Sequence, residues 1–382
     1  MRIVTDIPGG NFAVEKIENN VIYGHQELRD TTEWWFYWRF RMTELVQGDN
    51  YRVEFTNGEV VGYWGPAVKF GQEDWHFIGE EHRVSGSCFT FTVPEHCDTA
   101  EFAFCIPYDV ENWNRFVEKY RDNPLVETGV LCLSEKGREV PYMRIGKKGN
   151  HGTFMLTARH HACESTGNYL MEGIIDHLLS WDNPLIYPVL QRYEVMVVPF
   201  VDLDGIVDGD QGKARAPHDH NRDYQEGRYI TVRKVKELAK RTDDLIAIDC
   251  HSPYKWGGMS DVPYMVRPTT KKNALRTAEL GRELRLNCMF QKPEDCLIYE
   301  QLLDKHVQMD WDGNFLEGGD TLREKPPLAC DDWMAESGAR VCTSFETTYF
   351  GRPWNRTSQK TMRGLGGQLA LALEHYLMMQ ED

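Results

Sequence analysis

The sequence predicts an α/β domain with a mixed β-sheet flanked by helices, preceded by an antiparallel β-sandwich. Three observations lead there. Short segments of alternating aromatic and polar residues crowd the first hundred or so positions. Beyond Tyr108, short apolar runs alternate with longer stretches of helical spacing. And 382 residues, 41% of them hydrophobic, exceed what one ordinary core needs. The expected domains are residues 1–110 and 111–382.

In the first domain Tyr51, Val53 and Phe55 alternate with polar neighbours, as do Phe89, Phe91 and Val93, and then Phe102, Phe104 and Ile106. Side chains of a strand leave the sheet on alternate faces, so this spacing gives each segment one buried face. The aromatic run Trp34, Trp35, Phe36, Tyr37, Trp38 and Phe40 reads as a further strand that fills the sandwich core or a domain interface, in preference to a ligand platform.

Val110 to Tyr120 reads as a helix that opens the second domain. Its candidate strands are Thr153 to Ala158, Val195 to Val201, Leu245 to Asp249 and Arg340 to Phe345, each short, apolar and followed by polar or charged residues. Helical spacing marks Asn168 to Leu179, Val232 to Arg241, Asn273 to Arg285 and Met362 to Met379, the last with the stripe Leu365, Leu369, Leu373 and Tyr376. The 309–330 stretch, rich in Gly, Pro and charge, is the expected long loop bordering the cleft. Open α/β sheets place their sites at strand ends, so the polar clusters there carry the functional reading.

Charge and composition exclude several classes. A net charge of −16 argues against a nucleic-acid partner, which needs clustered Lys and Arg. No apolar run approaches membrane-spanning length and the N-terminus has no apolar signal core, so a cytoplasmic protein with no membrane partner is expected. Ten irregularly spaced cysteines fit reduced thiols better than a disulfide framework, and no paired C-x-x-C spacing marks a structural zinc site. Any zinc should therefore be catalytic.

The sharpest local feature is His161-Ala162-Cys163-Glu164, set between a strand and a helix so that imidazole and carboxylate converge at one strand end. The motif alone is weak, since roughly one accidental H-x-x-E is expected among thirteen histidines in a chain of this size. A catalytic zinc takes three protein ligands and keeps a fourth position for water; His251, after Leu245 to Asp249, supplies a third ligand or else is a hydrogen-bonded core histidine. The segment Pro217 to Tyr224 is too polar for a core. Within it Arg222 and Asn221 suit capture of a peptide's terminal carboxylate, while His218 and His220 are left out of the metal set. Glu346, at the end of an apolar strand, has the setting of a general base.

Taken in order, these features resemble the zinc carboxypeptidase family, in particular its cytosolic carboxypeptidase branch. The pattern H-x-x-E, D-x-N-R, a strand ending in His before Ser or Gly, and an F-E strand is matched by His161/Glu164, Asp219/Asn221/Arg222, His251/Ser252 and Phe345/Glu346. The front of the chain also looks like that branch's N-terminal β-domain. The resemblance implies that His161, Glu164 and His251 bind one Zn²⁺, that Glu346 activates the water, and that Asp219 orients His161. It further implies that Asn221 and Arg222 hold the substrate carboxylate and that Arg215, or Lys213 in its stead, stabilises the oxyanion. The position fifteen residues before Glu346, which sets side-chain preference in pancreatic-type enzymes, is Asp331, implying preference for a basic C-terminal residue. Residues 309 to 340 lack the Tyr that those enzymes carry in this loop.

The expected function is hydrolysis of the C-terminal residue of peptides or proteins. A zinc deacylase or amidase acting on N-acyl amino acids or cell-wall-type peptides, and an inactive peptide-binding module that has kept the fold, are the alternatives.

Overall fold

The computed structural model describes residues 1–31, 33, 35–182, 187–267, 270–306 and 329–380. Trp34 and positions 309–328 of the expected long loop lie outside them. The chain divides into two compact units: residues 1–109 together with 161–165 and 204–217, and the remainder from Val110 onward.

The first unit holds strands β1 (Arg2–Val4), β2 (Ala13–Glu18), β3 (Val21–His25), β4 (Arg39–Thr43), β5 (Asn50–Phe55), β6 (Ala67–Phe70), β7 (His76–Phe77), β8 (Arg83–Ser85), β9 (Cys88–Thr92) and β10 (Ala100–Ala103). They form two five-stranded sheets, β1-β4-β10-β6-β7 and β2-β3-β5-β9-β8. Pairing is antiparallel except where β3 meets β5 in parallel, Val21 beside Arg52. Along β5 buried and part-exposed residues alternate, as the period-two spacing requires. Rings from the two sheets meet in the core: Phe102 lies 5.6 Å from Phe40 on its own sheet and 5.3 and 4.6 Å from Phe89 and Phe91 on the other.

The aromatic run differs from expectation in form. Only Arg39–Thr43 is strand. The backbone of the preceding residues bonds to side chains instead: the Tyr37 N–H donates to Gln211 Oε1, and the carbonyls of Tyr37 and Trp35 accept from Gln211 and Gln26. The rings of Trp35, Phe36, Tyr37, Trp38 and Phe40 are nonetheless buried.

The second unit runs through α1 (Val110–Glu118), β11 (Val126–Leu133), β12 (Glu139–Ile145), β13 (Gly152–Ala158), α2 (Thr166–Leu179), α3 (Pro188–Arg192) and β14 (Tyr193–Val198); α4 (Leu203–Asp208) follows, all but its first residue in the first unit. The second unit continues with α5 (Ile230–Ala239), β15 (Asp244–His251), β16 (Tyr264–Arg267), α6 (Lys271–Cys288), β17 (Lys305–His306), α7 (Cys330–Glu336), β18 (Val341–Glu346), the short pair β19 (Gly351–Arg352) and β20 (Asn355–Arg356), and α8 (Gln359–Met379). Among the described residues its sheet has the order β11-β12-β14-β13-β15-β18-β16-β17, with β14, β13, β15 and β18 mutually parallel. Every residue of β13 is buried, as befits a strand covered on both faces. Helices α2 and α8 approach closely through glycines, since a Cβ on Gly173 would lie 2.0 Å from the Arg363 carbonyl oxygen.

The four anticipated strands are all present with shifted ends. β14 starts two residues early and stops at Val198, because Pro199 has no N–H to continue the ladder. β15 runs on to His251 and β18 to Glu346, which makes both site candidates the last residues of their strands.

Candidate metal centre and its surroundings

The sharp turn after β13 begins at Arg159, a non-glycine residue in the left-handed region with φ 63°. Such a conformation survives only where neighbours enforce it. Its backbone oxygen accepts from Asp202 N at 2.9 Å and its guanidinium donates to Asn168 at 3.1 Å. Within the turn His161 Nδ1 stands 2.9 Å from Glu164 Oε1. A loop of the same unit clamps this turn. Asp30 accepts from the N–H groups of Gln211 and Gly212 at 3.0 and 2.8 Å, and Gln211 O accepts from Cys163 N at 3.1 Å. Gly212 sits at φ 81°, where a Cβ would come 2.1 Å from Ala162 N, so only glycine permits this approach.

On the sheet, His251 and Glu346 are register partners on adjacent parallel strands. Register partners project to the same face, so the imidazole and carboxylate are neighbours. Glu346 is only part-exposed. His161 and Glu164 belong to the first unit and His251 to the second. Two ligands of a tetrahedral zinc at about 2.0–2.1 Å stand roughly 3.3 Å apart, so the 2.9 Å between His161 and Glu164 suits the ion in spacing, and two imidazoles with a carboxylate suit it in kind.

Glu164, 1% exposed, also meets Lys213 Nζ at 2.7 Å. The ammonium balances a carboxylate that burial would otherwise leave uncompensated, and a divalent cation would compete with it for that charge. Arg215 is held differently, with Nη2 at 3.2 Å from Asp210 and 3.8 Å from Asp30. Of the two cations proposed for the oxyanion, Lys213 thus contacts a candidate metal ligand and Arg215 is paired with two acids.

Asp219 caps the one-turn 3-10 helix His220–Arg222, its Oδ1 accepting from Asn221 N at 2.7 Å. Asn221 is buried, its Oδ1 accepting from Cys330 N at 2.9 Å and its Nδ2 lying 3.4 Å from His251 Nε2. Arg222 is exposed and donates to the Asn221 carbonyl at 2.9 Å. His218 and His220 face Asp223 at 3.2 Å and Asp202 at 3.8 Å, and His220 stacks on Tyr229. Asp331 is buried in the first turn of α7, where burial first, then the charges of Asp332 and Asp249, push its carboxyl up to about 7.

Sequence reasoning missed Asp249, His160 and Tyr224. Asp249 Oδ2 lies 2.6 Å from His251 Nε2 and its Oδ1 2.9 Å from His160 Nδ1. Burial opposes its ionisation, but the two imidazoles prevail and hold it well below the usual carboxylate range. The D-x-H spacing on a strand was the available signal, since residues i and i+2 share a face.

Residues 112–260 match the family described as zinc carboxypeptidase. The match spans about two fifths of the chain. Among curated relatives it is 23% identical over 258 residues to cytosolic carboxypeptidase 2 of Danio rerio, covering 57% of this chain and 35% of that protein. It is 27% identical over 252 residues to cytosolic carboxypeptidase 6 of Caenorhabditis elegans, covering 57% and 54%. The chain thus spans about a third of the first relative and about half of the second. Its fold is similar to that of a Pseudomonas aeruginosa metallo-carboxypeptidase, with TM-score 0.76 at 18% identity over 99% of this chain and 100% of that one. A Burkholderia cenocepacia metallo-carboxypeptidase aligns with TM-score 0.74 at 16% identity, over 99% of both chains. The family uses zinc, which agrees with the donor set above. No described helix is long and apolar enough to cross a membrane.

Proposed function

We propose that the chain is a zinc-dependent metallocarboxypeptidase that removes the C-terminal residue of a peptide or protein. The observation that carries this reading is the strand register that sets Glu346 beside His251, together with His161 and Glu164 side by side at 2.9 Å in the turn after β13. Bound there, zinc would act as a Lewis acid and lower the pKa of its water toward about 7.

In this reading Glu346 takes a proton from the attacking water and returns it to the leaving amine, so no covalent nucleophile is needed. Asn221 and Arg222 hold the substrate's terminal carboxylate; the exposed guanidinium of Arg222 suits bidentate capture, and Asn221 is pinned by Cys330 N. Asp219 orients His161. Arg215, or Lys213 in its stead, offsets charge on the oxyanion. Asp331 gives the site its preference for a basic terminal residue. The relatives' printed names support a cytoplasmic location. Residues 1–110 and 111–382 would be the working domains.

The test is a kcat/KM panel of peptides with a free C-terminal carboxylate, their C-terminally amidated forms and N-acyl amino acids, run with and without chelator. A carboxypeptidase cleaves the first set, loses activity on amidation and is silenced by the chelator. Equal cleavage of amidated substrates would favour a deacylase or amidase, and binding without cleavage would leave a peptide-binding module.

A further inference from the structure

We propose that Tyr224, His160 and Asp249 form a buried hydrogen-bond chain that fixes the tautomer of His251, so that its Nδ1 lone pair is the one presented to the metal. The proposal rests on the metallocarboxypeptidase reading and adds three positioning residues to it.

All four side chains belong to one unit and are buried: His160 and Tyr224 at 0% exposure, His251 at 2% and Asp249 at 3%. His160, Asp249 and His251 bring ligand-type atoms within 4.8 Å of one another and so have the makings of a metal site of their own. The hydrogen bonds argue otherwise. His160 uses both ring nitrogens, Nδ1 with Asp249 Oδ1 at 2.9 Å and Nε2 with the Tyr224 hydroxyl at 2.8 Å. A metal on either nitrogen would break a fully buried bond.

The proton positions follow from what each group is able to do. Three donor-type groups surround the Asp249 carboxyl oxygens, so His160 Nδ1–H donates to Oδ1, and Thr157 Oγ1–H donates to the same oxygen at 2.8 Å. A neutral imidazole that donates from Nδ1 accepts at Nε2, and the donor there is the Tyr224 O–H, which burial keeps protonated. At the other end Asp249 Oδ2 accepts from His251 Nε2–H at 2.6 Å. This contact outweighs the 3.4 Å approach of Asn221 Nδ2, which is too long to reverse it. With the proton committed to Nε2, ligation falls to Nδ1. A carboxylate so placed also raises the basicity of the ligating nitrogen.

The experiment uses the full chain, zinc as the probe, and the variants Asp249→Asn, Tyr224→Phe and the double variant. Zinc dissociation constants come from competition with a chromophoric chelator, and the His251 tautomer from ¹⁵N NMR of the zinc-loaded wild type. Asp249→Asn should weaken zinc binding by about 10- to 100-fold. Tyr224→Phe, conservative enough to keep the fold, should weaken it several-fold, and the double variant should bind like Asp249→Asn alone, because members of one chain are not additive. The ¹⁵N shifts should report a proton on His251 Nε2. A proton on Nδ1, additive losses, or wild-type affinity in both single variants would overturn the proposal while leaving the metallocarboxypeptidase reading standing. A wild type that binds no zinc would overturn both.

Discussion

Replacing Glu374 by Gln should stabilise the protein at neutral and alkaline pH. Glu374 lies on α8 with 2% exposure, and its Oε2 accepts from Val189 N at 3.0 Å where α3 begins. Burial pushes its carboxyl up from an ordinary 4.5 to about 7. The native state therefore holds this proton between those values while the unfolded chain releases it. Its contribution to stability is fully present below pH 4.5 and is lost as pH rises through 7. The shift of roughly 2.5 units, at about 1.4 kcal/mol each, sets a loss of order 3 kcal/mol. Glutamine keeps an acceptor for the Val189 N–H and removes the titration. Urea unfolding of both proteins from pH 5 to 9 should show the wild type falling behind the variant by about that amount as pH rises. Parallel stability profiles would refute the reasoning.

Other outcomes follow from the site and the sandwich. Asp331→Asn should erase the preference for peptides ending in Lys over those ending in Leu or Glu, read as kcat/KM ratios; equal turnover of all three by the wild type would remove Asp331 from the account. Of Arg215→Met and Lys213→Met, the one that removes the oxyanion donor should lower kcat about 10²- to 10³-fold with little change in KM. Phe102→Ala should cost about 3–5 kcal/mol of unfolding free energy, because the ring is fully buried among Phe40, Phe89 and Phe91 and leaves a cavity behind.

The sheet was legible because its central strands are continuous apolar runs, and those runs end where charged residues begin. For the same reason His251 and Glu346 could be placed at strand ends before any coordinates. What the sequence concealed is tertiary. β11 escaped notice because most of its residues are exposed, which blurs both the alternation and the apolar run. That 161–165 and 204–217 pack with the first unit has no local signature, since it depends on Asp30 and Gln211 meeting across some 180 positions. The contrast between Lys213 on Glu164 and Arg215 on two aspartates is likewise invisible in a segment where the two cations stand two residues apart. Nor does His160 have a local signature, since its partners Asp249 and Tyr224 lie 89 and 64 positions along the chain.

The central claim is that one zinc is held by His161, Glu164 and His251, with Glu346 acting on its water. Zinc content by mass spectrometry, measured together with kcat on the same preparations of wild type and Glu346→Gln, tests it most directly. One zinc per chain in both proteins, with kcat in the variant reduced by about 10²- to 10⁴-fold, is the predicted result. Full turnover in the variant, or a wild type active without metal, would contradict the account.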